Sequence, residues 1–281
     1  PVWPQGNNLS NPDNSQKPEG MDWDLWVGPE KNNGYIPGLH AFDWRGYWDY
    51  GTGSLGDMGC HLMDVPIKAL GLYDPYSVEA SISRLPYVRS YTPADVSSSS
   101  VPASSIVTYR FNPSKLNDSK VKFTWMDGGL RPSQPDQIKE DIGVGGILIY
   151  GEKGIISCND YGTRAKLYID GEVVETGQFD GIPSNSFNHY TSWVEAMVDG
   201  YGSDKHKNLN SGFDVAGPIS EVVLLGNVAV RSGLLKRSPR SNVFIGRKRL
   251  DYDSKNMVIT NFDQANQFLT REYRKGWELN I

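Results

Sequence analysis

Between residues 77 and 170, apolar and polar side chains alternate at period two in one segment after another, with no helical pattern between them. Residues 77–84 (SVEASISR), 105–112 (SIVTYRFN) and 120–127 (KVKFTWMD) show the alternation, and 146–151, 154–159 and 164–170 continue it. Such a pattern predicts half-buried strands, and strands with one wet side belong to antiparallel sheets. Gly151-Glu152-Lys153-Gly154 and Asp170-Gly171 supply hairpin turns. Helical patterns come afterwards. Residues 188–199 (NHYTSWVEAMVD) are amphipathic, 214–233 are apolar enough to be buried along most of their length, and 262–277 (FDQANQFLTREYRKGW) read as a closing amphipathic helix. Strands followed by helices, without βαβ alternation, specify an α+β fold rather than a doubly wound one.

The first third is irregular. Residues 1–20 are rich in Asn, Pro, Ser and Gln and read as an extended arm, 21–29 (MDWDLWVGP) as a short aromatic helix or turn, and 30–53 as a loop. A helix is expected over 54–64. Pro66 forces a kink or a fresh start with Asp64 as N-cap, and Gly71 ends the second helix. Residues 86–102, with four consecutive serines, form a loop, and 239–257 read as short extended pieces. The Arg247-Lys248-Arg249 run reads as a solvated strand edge.

With 281 residues and a net charge of −5, the chain can bury a sizeable core and is a poor match for nucleic acid or an anionic membrane. No stretch of about 20 uninterrupted apolar residues suggests membrane insertion. Four histidines and two cysteines, Cys60 and Cys158, form no zinc-like cluster in sequence. The start at Pro1, without methionine or signal peptide, suggests a fragment or a processed form. Gly143-Val144-Gly145-Gly146 lies among the strands, so it reads as a bend before a strand, not a phosphate loop. No Walker motif and no Gly-x-Ser-x-Gly elbow occurs.

Chemistry concentrates in residues 44–64, WRGYWDYGTGSLGDMGCHLMD. If Ser54 opens a helix, Asp57 and His61 share one face near its N-terminus. A carboxylate beside an imidazole is a common proton-transfer centre near neutral pH, and the upstream rings and arginine suit a polyhydroxylated ligand. A plainer reading stands beside this one: Ser54 and Asp57 form a capping box, and His61 is a core histidine. His189 opens the 188–199 helix as a pocket residue or as a cap or surface group; His40 and His206 fall in polar loops and read as solvated. Cys60 points elsewhere on the helix, and nothing in its surroundings marks it as a nucleophile.

Residues 23–29 (WDLWVGP), 44–49 (WRGYWD) and 56–64 (GDMGCHLMD) together resemble the glucose–fructose oxidoreductase / inositol dehydrogenase (Gfo/Idh/MocA) family of nicotinamide-dependent sugar oxidoreductases. Residues 219–229 (ISEVVLLGNVA) and 271–277 (REYRKGW) are similar to a long bacterial branch of it. The resemblance implies the C-terminal domain alone. That domain is an open, mostly antiparallel sheet with helices packed on one face, a two-layer sandwich like the C-terminal domain of dihydrodipicolinate reductase. It would fill 1–281: linker arm and substrate loop (1–53), helices carrying Asp-x-x-x-His (54–71), sheet (77–180), and helices with closing segments (186–281). No Rossmann domain and no Glu-Lys-Pro lysine is present.

By the resemblance, Asp57 holds a substrate hydroxyl and His61 exchanges its proton as hydride moves to or from NAD or NADP. Arg45, Trp44 and Trp48 fall in the substrate loop and would contact the sugar; ordinary loop packing is the plainer reading of the same residues. The cofactor would be bound by the missing N-terminal domain and not by this chain, which alone would be inactive. The implied partners are a sugar or cyclitol and further copies meeting through the open sheet face, in a bacterial cytoplasm or periplasm. Two other activities stay open: NAD-dependent glycoside cleavage by transient oxidation, and a non-catalytic carbohydrate-binding or assembly module. Loss of the first domain would leave an apolar, exposed surface on the 54–71 helices.

Overall fold

A computed structural model describes residues 5–6, 10–83, 99–174, 188–238, 241 and 243–279. The loop expected over 86–102 therefore lies mostly outside the described residues. The chain divides into two compact units, residues 1–133 with 222–281, and residues 134–221. The fold is α+β and its strand pairs are antiparallel, but the strands read as one series are shared between two sheets.

In the larger unit, α1 (Trp23–Val27) starts at Asp22, whose side chain accepts from the Leu25 amide. Its rings seed a core with Tyr35, Ile36, Leu39 and Tyr47, against which Trp26, Trp44 and Tyr50 pack. Trp23 and Trp26 stack at 4.5 Å, and Trp23 Nε1 donates to the Gly34 carbonyl. Thus the loop after α1 is irregular yet anchored.

Helix α2 (Gly53–Leu62) begins with Thr52 as N-cap, so Ser54 does not open it. Ser54 is instead fully buried inside the first turn, its amide donating to Gln5 Oε1 at 2.9 Å. The chain restarts at α3 (Asp64–Leu70), capped by Met63 rather than Asp64, with Pro66 in the first turn. A first-turn proline gives up an amide that has no intrahelical partner. Gly71, at φ +65°, ends α3 in the left-handed conformation.

Strands β1 (Pro75–Ile82), β2 (Ser105–Phe111) and β3 (Val121–Met126) follow. The register pairs Val78 with Tyr109 and Tyr109 with Phe123, which places these apolar residues on one face. The other face carries Ser81, Thr124, Lys122 and the Glu79–Arg110 ion pair at 2.6 Å.

The smaller unit holds β4 (Ile147–Tyr150), β5 (Ile155–Cys158), β6 (Lys166–Ile169) and β7 (Glu172–Val174), joined in that order. Gly151 and Gly154 close one hairpin through a 2.9 Å amide bond; Asp170 and Gly171, at φ 51° and 83°, turn the next. Gly143 and Gly146, at φ 78° and 142°, make the bend into β4. Its core is Ile138, Ile155 and Tyr168. Helices α4 (His189–Asp199) and α5 (Asp204–Lys207) complete the unit's short elements.

Helix α6 (Phe213–Ser232) begins in the smaller unit and contributes 222–232 to the larger. It is long and apolar enough in composition to suit a membrane span, contrary to the reading from uninterrupted runs. Its Val222, Leu225, Val228, Ala229 and Val230 are spent on the core. Burial does not extend along the whole helix: Phe213 is exposed, and half of the most apolar stretch is buried.

Strands β8 (Leu250–Asp253) and β9 (Val258–Ile259) finish the first sheet, in the order β3-β2-β1-β8-β9. The expected 262–277 helix is absent; a 3-10 turn over Asp263–Phe268 stands in its place. Asn266 receives the Ile259 amide and returns a donor to the Ile259 carbonyl, tying that turn to β9. Farther on, Arg274 forks onto both carboxylate oxygens of Asp24 at 2.6 and 3.0 Å and onto the Gly28 carbonyl. Those side-chain and backbone ties outweigh weak helical propensity.

The apolar, exposed surface expected on the 54–71 helices is not found. Their exposed positions are Cys60, His61 and Ala69, and no large apolar side chain there is exposed.

Candidate active site

The placement of α2 depends on small residues. A Cβ on Gly59 would come within 2.8 Å of Val223 Cγ1, and one on Gly226 would strike the Tyr109 hydroxyl and Leu55. Only glycines let α2, α6 and β2 approach this closely. Leu55, Gly59 and Leu62 are thereby turned inward, while Asp57 is half-buried and Cys60 and His61 are exposed. The four-residue spacing stacks Asp57 and His61 on one helix face.

Asp57 does not cap its own helix. Its Oδ1 accepts from Arg45 Nε at 3.1 Å, in a pair whose side chains are 24 and 28 % exposed. The Arg45 guanidinium lies over the Phe42 and Trp44 rings, at 4.4 and 4.5 Å, and also donates to the Phe42 carbonyl. Two aromatic faces thus hold the cation that holds the carboxylate. Asp57 Oδ2 makes no hydrogen bond among the described residues. Cys60 Sγ donates to the Asp57 carbonyl, and partial desolvation, assisted by the Asp57 charge, raises the thiol pKa.

The structure therefore brings Arg45, Trp44 and Asp57 together and sets His61 one turn on. Trp48 faces another partner: Arg231 of α6 lies 5.4 Å from its ring and 4.5 Å from that of Phe268. Trp48 Nε1 is buried without a hydrogen bond to any described residue, and burial lowers the Arg231 pKa. Phe42 and Arg231 were missed by sequence reasoning. Phe42 is two residues from Trp44 and could have been found, whereas Arg231 lies 183 residues from Trp48 and only folding pairs them.

His189 lies in the smaller unit, exposed behind its N-cap Asn188, with its ring 5.7 Å from Tyr190. His40 is exposed beside Trp26. His206 is not simply solvated: its Nδ1 accepts from the Gly202 amide and its ring lies 4.7 Å from Tyr201.

Among the described residues, no group of three His, Cys, Asp or Glu side chains is placed to hold a metal. Cys60 and Cys158 are free thiols. A depression of about 690 Å³ lies beside α1, lined in part by Asn14, Lys17 and Asp24. It does not include Asp57 or His61, and its polar groups are engaged: Asn14 with the Tyr35 amide, Lys17 with the Met21 carbonyl, Asp24 with Arg274.

A family model described as the oxidoreductase family, C-terminal alpha/beta domain, of Gfo/Idh/MocA proteins matches residues 2–83. Residues 2–83 are thus similar to the C-terminal domain of the Gfo/Idh/MocA oxidoreductases. The match runs from the N-terminal arm through α1, α2 and α3 into β1 and contains Arg45, Asp57 and His61. No curated protein matches the chain. This oxidoreductase family generally uses NAD or NADP, and the described residues do not fit a dinucleotide. Their strand pairs are antiparallel, and the glycine run 143–146 bends into a strand instead of opening a helix.

Proposed function

We propose that this chain is the substrate-binding, catalytic half of a nicotinamide-dependent oxidoreductase acting on a hydroxyl of a sugar, cyclitol or glycoside. One arrangement supports the reading. Asp57 is held by Arg45 through one carboxylate oxygen, with His61 one helical turn on, inside a segment that matches an oxidoreductase family.

The chemistry follows from the side chains. A substrate hydroxyl donates to the unengaged Asp57 oxygen, while the Arg45 guanidinium donates to the oxygen of a neighbouring hydroxyl. Fixing a diol at both oxygens orients it before reaction. His61 takes the hydroxyl proton during oxidation and returns it in the reverse direction, the general base and acid role open to an imidazole. NAD or NADP supplies the hydride chemistry when bound, from a site outside the described residues.

Saturation-transfer NMR of the chain with monosaccharides, cyclitols and glycosides tests the binding half. Asp57→Asn should abolish the signal of any ligand that binds. In an enzyme that carries this domain with its nucleotide-binding partner, His61→Ala should lower kcat by at least about two orders of magnitude. A loss below about tenfold would overturn the role of His61. Glycoside cleavage without accumulation of reduced nicotinamide would make the protein a hydrolase, and sugar binding indifferent to His61→Ala without turnover would make it a binding module.

A further inference from the structure

Helix α4 has an apolar stripe that no described residue covers. Tyr190, Trp193, Val194, Met197, Val198 and, just past the helix end, Tyr201 are 81, 56, 51, 63, 81 and 95 % exposed. Their spacing is that of one helical face. Ala196 is the only buried residue of the helix. At about 150–250 Å² for each aromatic side chain, the stripe presents roughly 700 Å² of apolar surface. Isolated apolar residues on a surface are ordinary, but a contiguous stripe of this size marks an interaction site.

We propose that α4 is a self-association surface, paired antiparallel with α4 of a second copy across a two-fold axis. Three observations favour a second copy over other occupants. First, the stripe is symmetric in position about the midpoint between residues 195 and 196. An isologous pairing therefore sets Tyr190 against Tyr201, Trp193 against Val198, and Val194 against Met197. Second, the flanking acids are partly screened within each copy: Lys205 lies 3.6 Å from Glu195 and 3.3 Å from Asp199, which reduces the repulsion between two copies. Third, two stripes together bury roughly 1,400 Å², inside the range of about 1,200–2,000 Å² for stable interfaces.

A lipid surface fits less well. Helix α4 contains no lysine or arginine, and its charges are acidic, the reverse of a helix that lies on anionic lipid. The surface also differs from the open face of the first sheet, where burial would desolvate the Glu79–Arg110 ion pair and the Lys122 ammonium.

Sedimentation velocity on the 281-residue chain over a range of concentrations tests the proposal. A monomer–dimer equilibrium is expected, and Trp193→Glu combined with Met197→Glu should weaken the dimer by at least about tenfold, with an unchanged circular dichroism spectrum. Val144→Glu, at a position 97 % exposed and off the helix, should leave the equilibrium unaltered. If the first pair perturbs folding, Tyr190→Glu with Tyr201→Glu makes the same test. A chain that stays monomeric at all concentrations overturns the proposal. So does a dimer indifferent to these substitutions but dissociated by Ile106→Glu on the open sheet face.

Discussion

Helices α4 and α6 are written in the same pattern and meet opposite fates. From Val222 onward, α6 buries all its apolar residues but Leu224, with Gly226 closing onto the Tyr109 hydroxyl and Leu55. Helix α4 has aromatic and aliphatic side chains at equally regular spacing and leaves six of them exposed at the helix or its end. Periodicity thus reports that a face is apolar and does not report what covers it. The small residues make the difference: glycines at 59 and 226 let neighbouring backbones approach α6, and α4 has no glycine within its span.

Truncation gives the sharpest test of that contrast. Leu225→Ala, at a position 3 % exposed on α6, should cost about 2–5 kcal/mol in urea unfolding. Gly226→Ala should cost about 1–3 kcal/mol, because the added methyl meets the Tyr109 hydroxyl, whose own pKa burial pushes far up.

The C-terminal segment is held differently again, by charge at the surface. The Arg274 guanidinium, followed by Asn32, lowers the Asp24 pKa to about 2. The native pKa lies below the unfolded value of about 3.9, so the stabilisation is present above that pH and is lost as pH falls through about 2. Protection of residues 271–279 from hydrogen exchange, relative to the intrinsic rate at each pH, should therefore fall between those two pH values while α6 stays protected. Simultaneous loss of protection in both would erase the distinction. The smallest effect belongs to α4: Met197→Ala, measured at dilution, should change stability by less than about 0.5 kcal/mol. A cost like that of Leu225→Ala would mean that the stripe is already covered.

The site was partly legible. Asp57 and His61 could be paired from their spacing because helix geometry is local, and Arg45 and Trp44 stood in the same short run. The capping-box reading of Ser54 failed because Thr52 took the cap, leaving Asp57 to Arg45. The Arg231–Trp48 contact was invisible, since nothing local links a helix near the C-terminus to a loop near residue 48. The final helix was over-read: 262–277 has the right periodicity, but Asn266 and Arg274 are committed to β9 and α1.

What the sequence by itself determined is what repeats over a few residues: the strands and their turns, the break at Pro66, the left-handed stop at Gly71, and the shared face of Asp57 and His61. Dihedral preferences and side-chain period act within a turn or two of chain, so they can be read without knowing the fold. Tertiary structure alone decided that the strands form two sheets and that Arg45 rather than a helix amide holds Asp57. It also decided that α6 lies in a core while α4 lies bare. Each of those outcomes depends on which distant residue reaches a given surface first and packs it best, and that competition has no local signature.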